Sequence, residues 1–262
     1  MMNPAEFANI AESEANFWWY SGMRQIMFAL LDPVARQERL GPVLEAGCGT
    51  GHFSRELGRR YGWRMHSLDL AMEGLQYGRT YGLDAMVQAD ICSLPYRTGA
   101  FDGVVCMDVI VHLERGRERQ PLEEFARVLR PGGLLALRVS ALDILRSHHS
   151  QHAMERQRFT RERLEEAVGA AGLDVLRVSY ANAFLLPVAL FKFRVWEPLT
   201  GAQLDSGVKP VPGWLNRVLH APLELESRWL GRGGSFPAGQ SLVLLARRRS
   251  ASARVAATAT AA

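Results

Sequence analysis

The chain has 262 residues, 48% of them apolar, and a formal charge of +4, enough to build a substantial core in one large domain, with or without an elaborated cap. Its 3 cysteines, Cys48, Cys92 and Cys106, are an odd set that argues against a secreted disulfide framework and for thiols in a reducing cytoplasm. The positive charge is nearly all arginine spread along the chain, Lys192 and Lys209 being the 2 lysines, so it draws no basic footprint and no nucleic-acid partner is expected.

The opening segment, MMNPAEFANIAESEANFWWY, begins with acidic and polar residues and lacks the basic-then-apolar order of a signal peptide. Residues 1–40 are expected to form an aromatic-rich helical cap. From Pro42 to Ser179 strand and helix signals then alternate, the pattern of a parallel sheet covered on both faces. Apolar runs at Val43–Ala46, Met65–Leu70, Ala85–Ala89, Gly103–Met107, Leu134–Val139 and Val175–Val178 predict strands, and Ser241–Ala246 predicts a seventh. Helical spacing covers Phe53–Tyr61, Met72–Tyr81, Pro121–Leu129 and Arg161–Ala171, with Thr160 as N-cap and Gly172 as the stop.

The sixth and seventh strands are separated by far more than the roughly 4 to 6 residues that join neighbours in compact domains. Residues 181–239 are therefore expected to be an insertion, with a leucine-rich helix over Trp214–Trp229, that roofs the open strand ends as an acceptor-site lid. Residues 41–180 and 240–249 make the core, and 250–262, built of small residues, is expected to be a disordered tail. The apolar stretch Phe184–Phe193 falls well short of the roughly 20 residues of a membrane span. It can touch a membrane surface, so 184–196 is a candidate for peripheral lipid contact.

Chemistry concentrates at the strand ends. Val43-Leu44-Glu45-Ala46-Gly47-Cys48-Gly49-Thr50-Gly51 is an apolar strand running through an acidic residue into a glycine turn that opens a helix. The spacing is G-x-G-x-G, with His52 where a dinucleotide fingerprint places its third glycine. Asp69 ends the second strand about 20 residues on, where a carboxylate can take two ribose hydroxyls. Asp90 ends the third strand and Asp108 follows the fourth, on the same side of the sheet.

With LEAGCGTG, the SLDL strand, QADICSLPY, FDGVVCMDVIVHL and RVLRPGGLLALRVS in order, the sequence resembles the class I S-adenosylmethionine-dependent methyltransferases from Val43 to Ser140, and more loosely through Phe159 to Tyr180. The resemblance implies an α/β, Rossmann-like, doubly wound seven-stranded sheet, mostly parallel with an antiparallel last strand, plus a helical cap. It implies S-adenosylmethionine as cofactor, with Gly47, Cys48 and Gly49 in the turn under the methionine portion and Glu45 nearby. Asp69 would bind the ribose, Leu70 and Met72 line the adenosine pocket, and Asp90 with Ile91 meet the adenine. Met107 would lie near the sulfonium and His112 near the transferred methyl. The segment Glu12–Arg24, with Phe17-Trp18-Trp19-Tyr20, resembles the leading helix of bacterial members, making Tyr20 and Arg24 candidates to close over the cofactor; packing of these aromatics is the competing explanation.

Methyl transfer from a sulfonium is a one-step displacement served mainly by orientation. A base helps a phenol or alcohol and is not needed by an ionised carboxylate. His112 is the candidate base, and one helical turn would set it on the face of Asp108; a packed structural histidine is the alternative. His148, His149 and His152 have ligand-like spacing but no accompanying carboxylate or cysteine set, so no metal is expected. Asp108 is followed by Val109-Ile110 rather than the Pro-Pro-aromatic turn of amino-group methylation. The apolar insertion favours a small or lipophilic acceptor, with oxygen the expected acceptor atom, and the resemblance to bacterial members implies a role in secondary metabolism or envelope biosynthesis. A C-methyltransferase, a noncatalytic cofactor-binding module and an NAD-dependent oxidoreductase are the alternatives, the last lacking its third glycine.

Overall fold

In the computed structural model, which describes residues 4–146, 154–200 and 211–250, the apolar runs form a single sheet. Its strands are β1 (Pro42–Ala46), β2 (Arg64–Asp69), β3 (Met86–Gln88), β4 (Phe101–Met107), β5 (Leu129–Ser140), β6 (Leu173–Ala181) and β7 (Ser241–Arg248). They lie in the order β3-β2-β1-β4-β5-β7-β6. Pairings from β3 to β5 are parallel, and β7 runs antiparallel to both β5 and β6.

The helices are α1 (Pro4–Ser13), α2 (Trp18–Gln37), α3 (His52–Tyr61), α4 (Met72–Thr80), α5 (Arg119–Val128) and α6 (Arg161–Ala170). In the insertion, α7 (Leu186–Phe191) runs through a π-turn (Lys192–Trp196) into α8 (Glu197–Thr200), and α9 (Gly213–Gly231) precedes β7.

Strand alternation explains how one sheet serves two cores, because successive side chains point to opposite faces. Val43, Val105, Leu134, Ala136, Val243 and Leu245 pack with α2, α3 and α9. Their neighbours Leu44, Val104, Leu135, Leu137, Leu242 and Leu244 pack with α5 and α6. Central strands buried on both faces read as continuous apolar runs, which is why they were legible.

Most boundaries shift by one to three residues, and two of the differences have a structural cause. The spacing predicts helix through Leu129 and strand from Leu134, whereas Leu129 already pairs with Phe101, and a register shift before the Gly103–Leu134 pair absorbs the intervening residues. Pro131 and Gly132, the latter at φ +77°, turn the chain there without ending the strand. The third strand shortens to Met86–Gln88, as suits a sheet edge with one partner. At the N-terminus of α6, Thr160 accepts a hydrogen bond from the Arg163 N–H at 3.4 Å, the expected cap.

The insertion joins the N-terminal helices. Leu223 of α9 sits on Gly22 of α2 so closely that a Cβ on the glycine would lie 2.3 Å from its Cδ1. Trp18 N–H donates to Asn216 Oδ1 at 2.8 Å and Asn216 Nδ2 donates to the Asn16 carbonyl at 2.9 Å. Farther along α9, the buried Glu226 accepts the Phe184 N–H at 2.8 Å, tying the helix to the turn that leaves β6.

Candidate active site

The strand order reverses between β1 and β4, and the crevice outside the carboxyl ends of such strands is where α/β sheets place ligands. Glu45, Asp69, Asp90 and Asp108 all belong to ends on this edge, because β1 to β4 are parallel. The glycine turn wraps the end of β2: the N–H groups of Gly47 and Cys48 both donate to the Leu68 carbonyl, at 2.7 and 2.9 Å. Gly47 has φ +83°, and a Cβ there would strike Val109 at 2.2 Å, so the turn and the segment after β4 are packed as one surface. Gly49, at φ +54°, faces open space, with nothing within 4 Å of the place a Cβ would occupy.

Asp69 anchors this turn. Its Oδ2 accepts the Gly49 N–H at 2.7 Å and its Oδ1 accepts the Ala71 N–H at 2.9 Å, and burial raises its carboxyl above the ordinary range against those bonds. The Leu70 N–H acts on the same carboxylate, and its two oxygens together still keep acceptor capacity. Leu70 and Met72 beside it are 49% and 37% exposed. Asp90 is exposed and its Oδ1 accepts the Cys92 N–H at 2.9 Å, while Ile91 is buried.

Glu45 lies behind the turn rather than in front of it. It is buried and accepts a short hydrogen bond from Ser54 Oγ, which in turn accepts Ser67 Oγ–H at 2.7 Å. Burial, with the charges of Glu14 and Asp69, pushes its pKa up to about 8, so it is largely protonated at neutral pH. Cys48 is also buried, and burial next to Glu45 and Asp69 pushes its thiol upward, a setting that suppresses the thiolate needed of a nucleophile.

The N-terminal helices close on the same turn. Glu14, just past α1, is buried; it accepts Thr50 Oγ–H at 2.6 Å and Tyr81 O–H at 3.1 Å. Arg24 of α2 donates to the carbonyls of Glu14 and Ala15, so its charge sits at the carbonyl end of α1, where a cation is favoured. Tyr20 stacks edge-on to Trp19, ring centroids 5.1 Å apart.

Next to Met107 the chain turns sharply, with Asp108 at φ +57° and a 3-10 turn at Ile110–His112. The positive φ takes Asp108 out of any helix shared with His112. Asp108 instead forms an ion pair with Arg138 at the end of β5, while Arg138 also donates to Ser241 Oγ at 3.0 Å and lies 4.7 Å from the Trp19 ring centroid. Arg138 Nε and Asp108 Oδ1 are buried without a hydrogen-bond partner; burial raises the Asp108 carboxyl and lowers the Arg138 guanidinium. His112 is exposed, with Nδ1 3.2 Å from the Met154 carbonyl, and acts electrostatically on both Asp69 and Asp108. Arg138, Trp19 and Glu14 were not singled out as site residues by the sequence. A lone arginine in the apolar run LLALRVS was the available signal for the first; nothing local marks Glu14.

The set fits an adenosyl sulfonium. The open space at Gly49 admits close approach to the backbone, Asp69 offers acceptors to a diol, and exposed Leu70 and Met72 offer apolar surface to a base and ribose. Among the described residues no group of three or more histidine, cysteine or acidic side chains is arranged to hold a metal; His148, His149 and His152 lie outside the described residues.

Comparison with known proteins agrees with this geometry. Residues 44–137 match the family model described as a methyltransferase domain. The ubiquinone biosynthesis O-methyltransferase of Xanthomonas oryzae pv. oryzae is 35% identical over 136 residues, which cover 47% of this chain and 56% of that protein. The malonyl-[acyl-carrier protein] O-methyltransferase of Pectobacterium atrosepticum is 38% identical over 95 residues, 36% of either chain. The chain thus spans about half the length, or less, of these curated relatives. Among solved structures, a putative sarcosine dimethylglycine methyltransferase from Galdieria sulphuraria superposes with a TM-score of 0.58 over 87% of this chain and 85% of that one, at 18% identity, a likeness of fold.

Proposed function

We propose that the chain is a class I S-adenosylmethionine-dependent methyltransferase, in keeping with the match of residues 44–137 to a methyltransferase domain and with its O-methyltransferase relatives, and that it methylates the oxygen of a small or lipophilic hydroxyl acceptor. The observation that carries the reading is the convergence, at the β1/β4 switch point, of the open glycine turn at Gly49 with Asp69 and its exposed neighbours Leu70 and Met72. Gly47, Cys48 and Gly49 would receive the methionine portion against backbone, and Asp69 the ribose hydroxyls. Leu70 and Met72 would flank the adenosine, Asp90 and Ile91 bound the adenine, and Met107 stand near the sulfonium. Tyr20 and Arg24 would close the site from α2. Glu45 supports this set from behind, setting the turn through Ser54.

When bound, S-adenosylmethionine supplies an electrophilic methyl on a leaving thioether. The protein's task is to align the acceptor oxygen and exclude water. His112, exposed after β4 and within electrostatic reach of Asp69 and Asp108, would accept a hydroxyl proton or orient the acceptor. The Asp108–Arg138 ion pair under Trp19 would supply polar surface beside Met107. Residues 181–239 would act as the acceptor-site lid and 184–196 would touch lipid, in keeping with an acceptor from secondary metabolism or the envelope. Three free thiols favour a cytoplasmic setting.

The test is calorimetric titration with S-adenosylmethionine and S-adenosylhomocysteine, with NAD as control, followed by methylation of a catechol probe from labelled cofactor. Binding of the adenosyl pair alone supports the reading; a preference for NAD overturns it. With the catechol probe, His112→Ala should lower turnover by about 10²-fold or more if the imidazole takes the proton, and leave cofactor affinity unchanged.

A further inference from the structure

The exposed apolar side chains of this protein are concentrated in the insertion. Phe184, Val188, Phe191, Val195 and Leu199 are 42% to 80% exposed and follow one another at spacings of three and four, so they form one outward stripe along α7, the π-turn and α8. Trp214, Val218, Leu225 and Trp229 are 52% to 68% exposed and repeat the pattern on α9. The opposite face of α9, through Leu223, Glu226 and Leu230, is the one buried.

The stripes meet at one corner. The Phe184 ring packs on Phe236, centroids 5.4 Å apart, and Trp229 Nε1–H donates to the carbonyl of the adjacent Ser235 at 3.3 Å. We propose that the outward stripes of α7–α8 and α9 together form a docking surface for an anionic lipid bilayer, on which the protein lies without crossing.

Charge distinguishes this occupant from others. Lys192, Arg194, Arg217 and Arg232 stand within a few residues of the stripe side chains along the chain. Among the described carboxylates of the insertion, Glu224 is paired with Arg228 at 2.7 Å and Glu226 is buried, leaving Glu197 against them. Cationic side chains near tryptophan and phenylalanine suit the headgroup region of an anionic leaflet, where aromatic rings sit at the boundary and basic side chains reach phosphates. A second copy of the chain meeting it in a two-fold contact would set the same cations against each other. Among the described residues no helix is long and apolar enough to cross a membrane, in keeping with a surface contact.

The inference deepens the lipid contact proposed above for 184–196 and rests on that reading; it adds α9 as an equal half of the surface and specifies anionic lipid. The insertion is tied to the N-terminal cap through Asn216 and Leu223, so docking through it would hold the cap close to the bilayer.

The test is co-sedimentation of the full chain with phosphatidylcholine vesicles prepared with and without phosphatidylglycerol. Two double variants carry it, Val188→Glu/Phe191→Glu on one stripe and Trp214→Glu/Val218→Glu on the other, and calorimetry with S-adenosylmethionine serves as the fold control. The expected result is partition onto phosphatidylglycerol-containing vesicles that weakens with salt and falls by about tenfold in each variant, with cofactor affinity unchanged. Failure to sediment with either vesicle, loss in one variant alone, or a dimer in scattering measurements that both variants dissolve would overturn the proposal. Vesicle binding by a protein that does not bind S-adenosylmethionine would leave the docking surface standing and remove the methyltransferase reading instead.

Discussion

Asp69 shows how much one side chain can be asked to do, since it accepts N–H groups from Gly49 and Ala71 and is also proposed to hold the ribose. Bonds to a charged acceptor are worth about 1.5–3 kcal/mol each. With two ribose hydroxyls at stake, Asp69→Ala should therefore weaken S-adenosylmethionine by about 10²-fold or more in calorimetry, and unchanged affinity would remove the ribose role. The Asp108–Arg138 pair makes a separate prediction. Arg138 is 3% exposed, so Arg138→Met leaves a carboxylate without its counter-charge and should cost about 3–5 kcal/mol in urea unfolding. Adding Asp108→Asn should return part of that loss; a single variant as stable as the parent would show that the pair contributes nothing.

At the scale of elements, the contact between α2 and α9 fixes the insertion on the cap. Gly22 is where the helices come closest, and the missing side chain is what lets Leu223 seat. Gly22→Val should overpack this contact, costing about 1–3 kcal/mol of stability. It should also raise amide exchange in α9 more than in β4, while a uniform change would argue that the insertion unfolds with the sheet. The existence of this helix was legible from the leucine spacing of Trp214–Trp229, whereas its partner was not: Asn16, Gly22 and Asn216 are small or polar residues with no pattern of their own. Likewise the short Ile110–His112 turn follows from the positive φ of Asp108, a tertiary demand that the Asp108–His112 spacing does not carry.

For the whole molecule, Glu45 predicts a pH dependence of stability. Its pKa rises from 4.5 to about 8 on burial, so the native state holds a proton that the unfolded chain releases. The contribution is fully present below pH 4.5, declines as pH rises, and is lost once pH passes about 8. Asp32, Glu118 and Glu124 are shifted downward by their hydrogen-bonding partners and work in the opposite sense, so the parent's own curve mixes both. Glu45→Gln isolates one of them: its Tm relative to the parent should climb steadily across that range. A constant difference would mean that Glu45 is ionised in the folded protein.

Local order in the sequence determined the α/β alternation, the seven strands and the glycine turn followed by Asp69, because strands buried on both faces and glycines at positive φ leave marks that need no partner to be read. Tertiary structure alone decided that Glu45 faces inward to Ser54, that Arg138 of β5 meets Asp108 after β4 under Trp19 of α2, and that Glu14 reaches Thr50. Each of these joins residues distant along the chain, and their energies come from burial and charge at a meeting point. No spacing in the sequence encodes that meeting, since it exists only once the sheet has brought the ends of its strands to one edge.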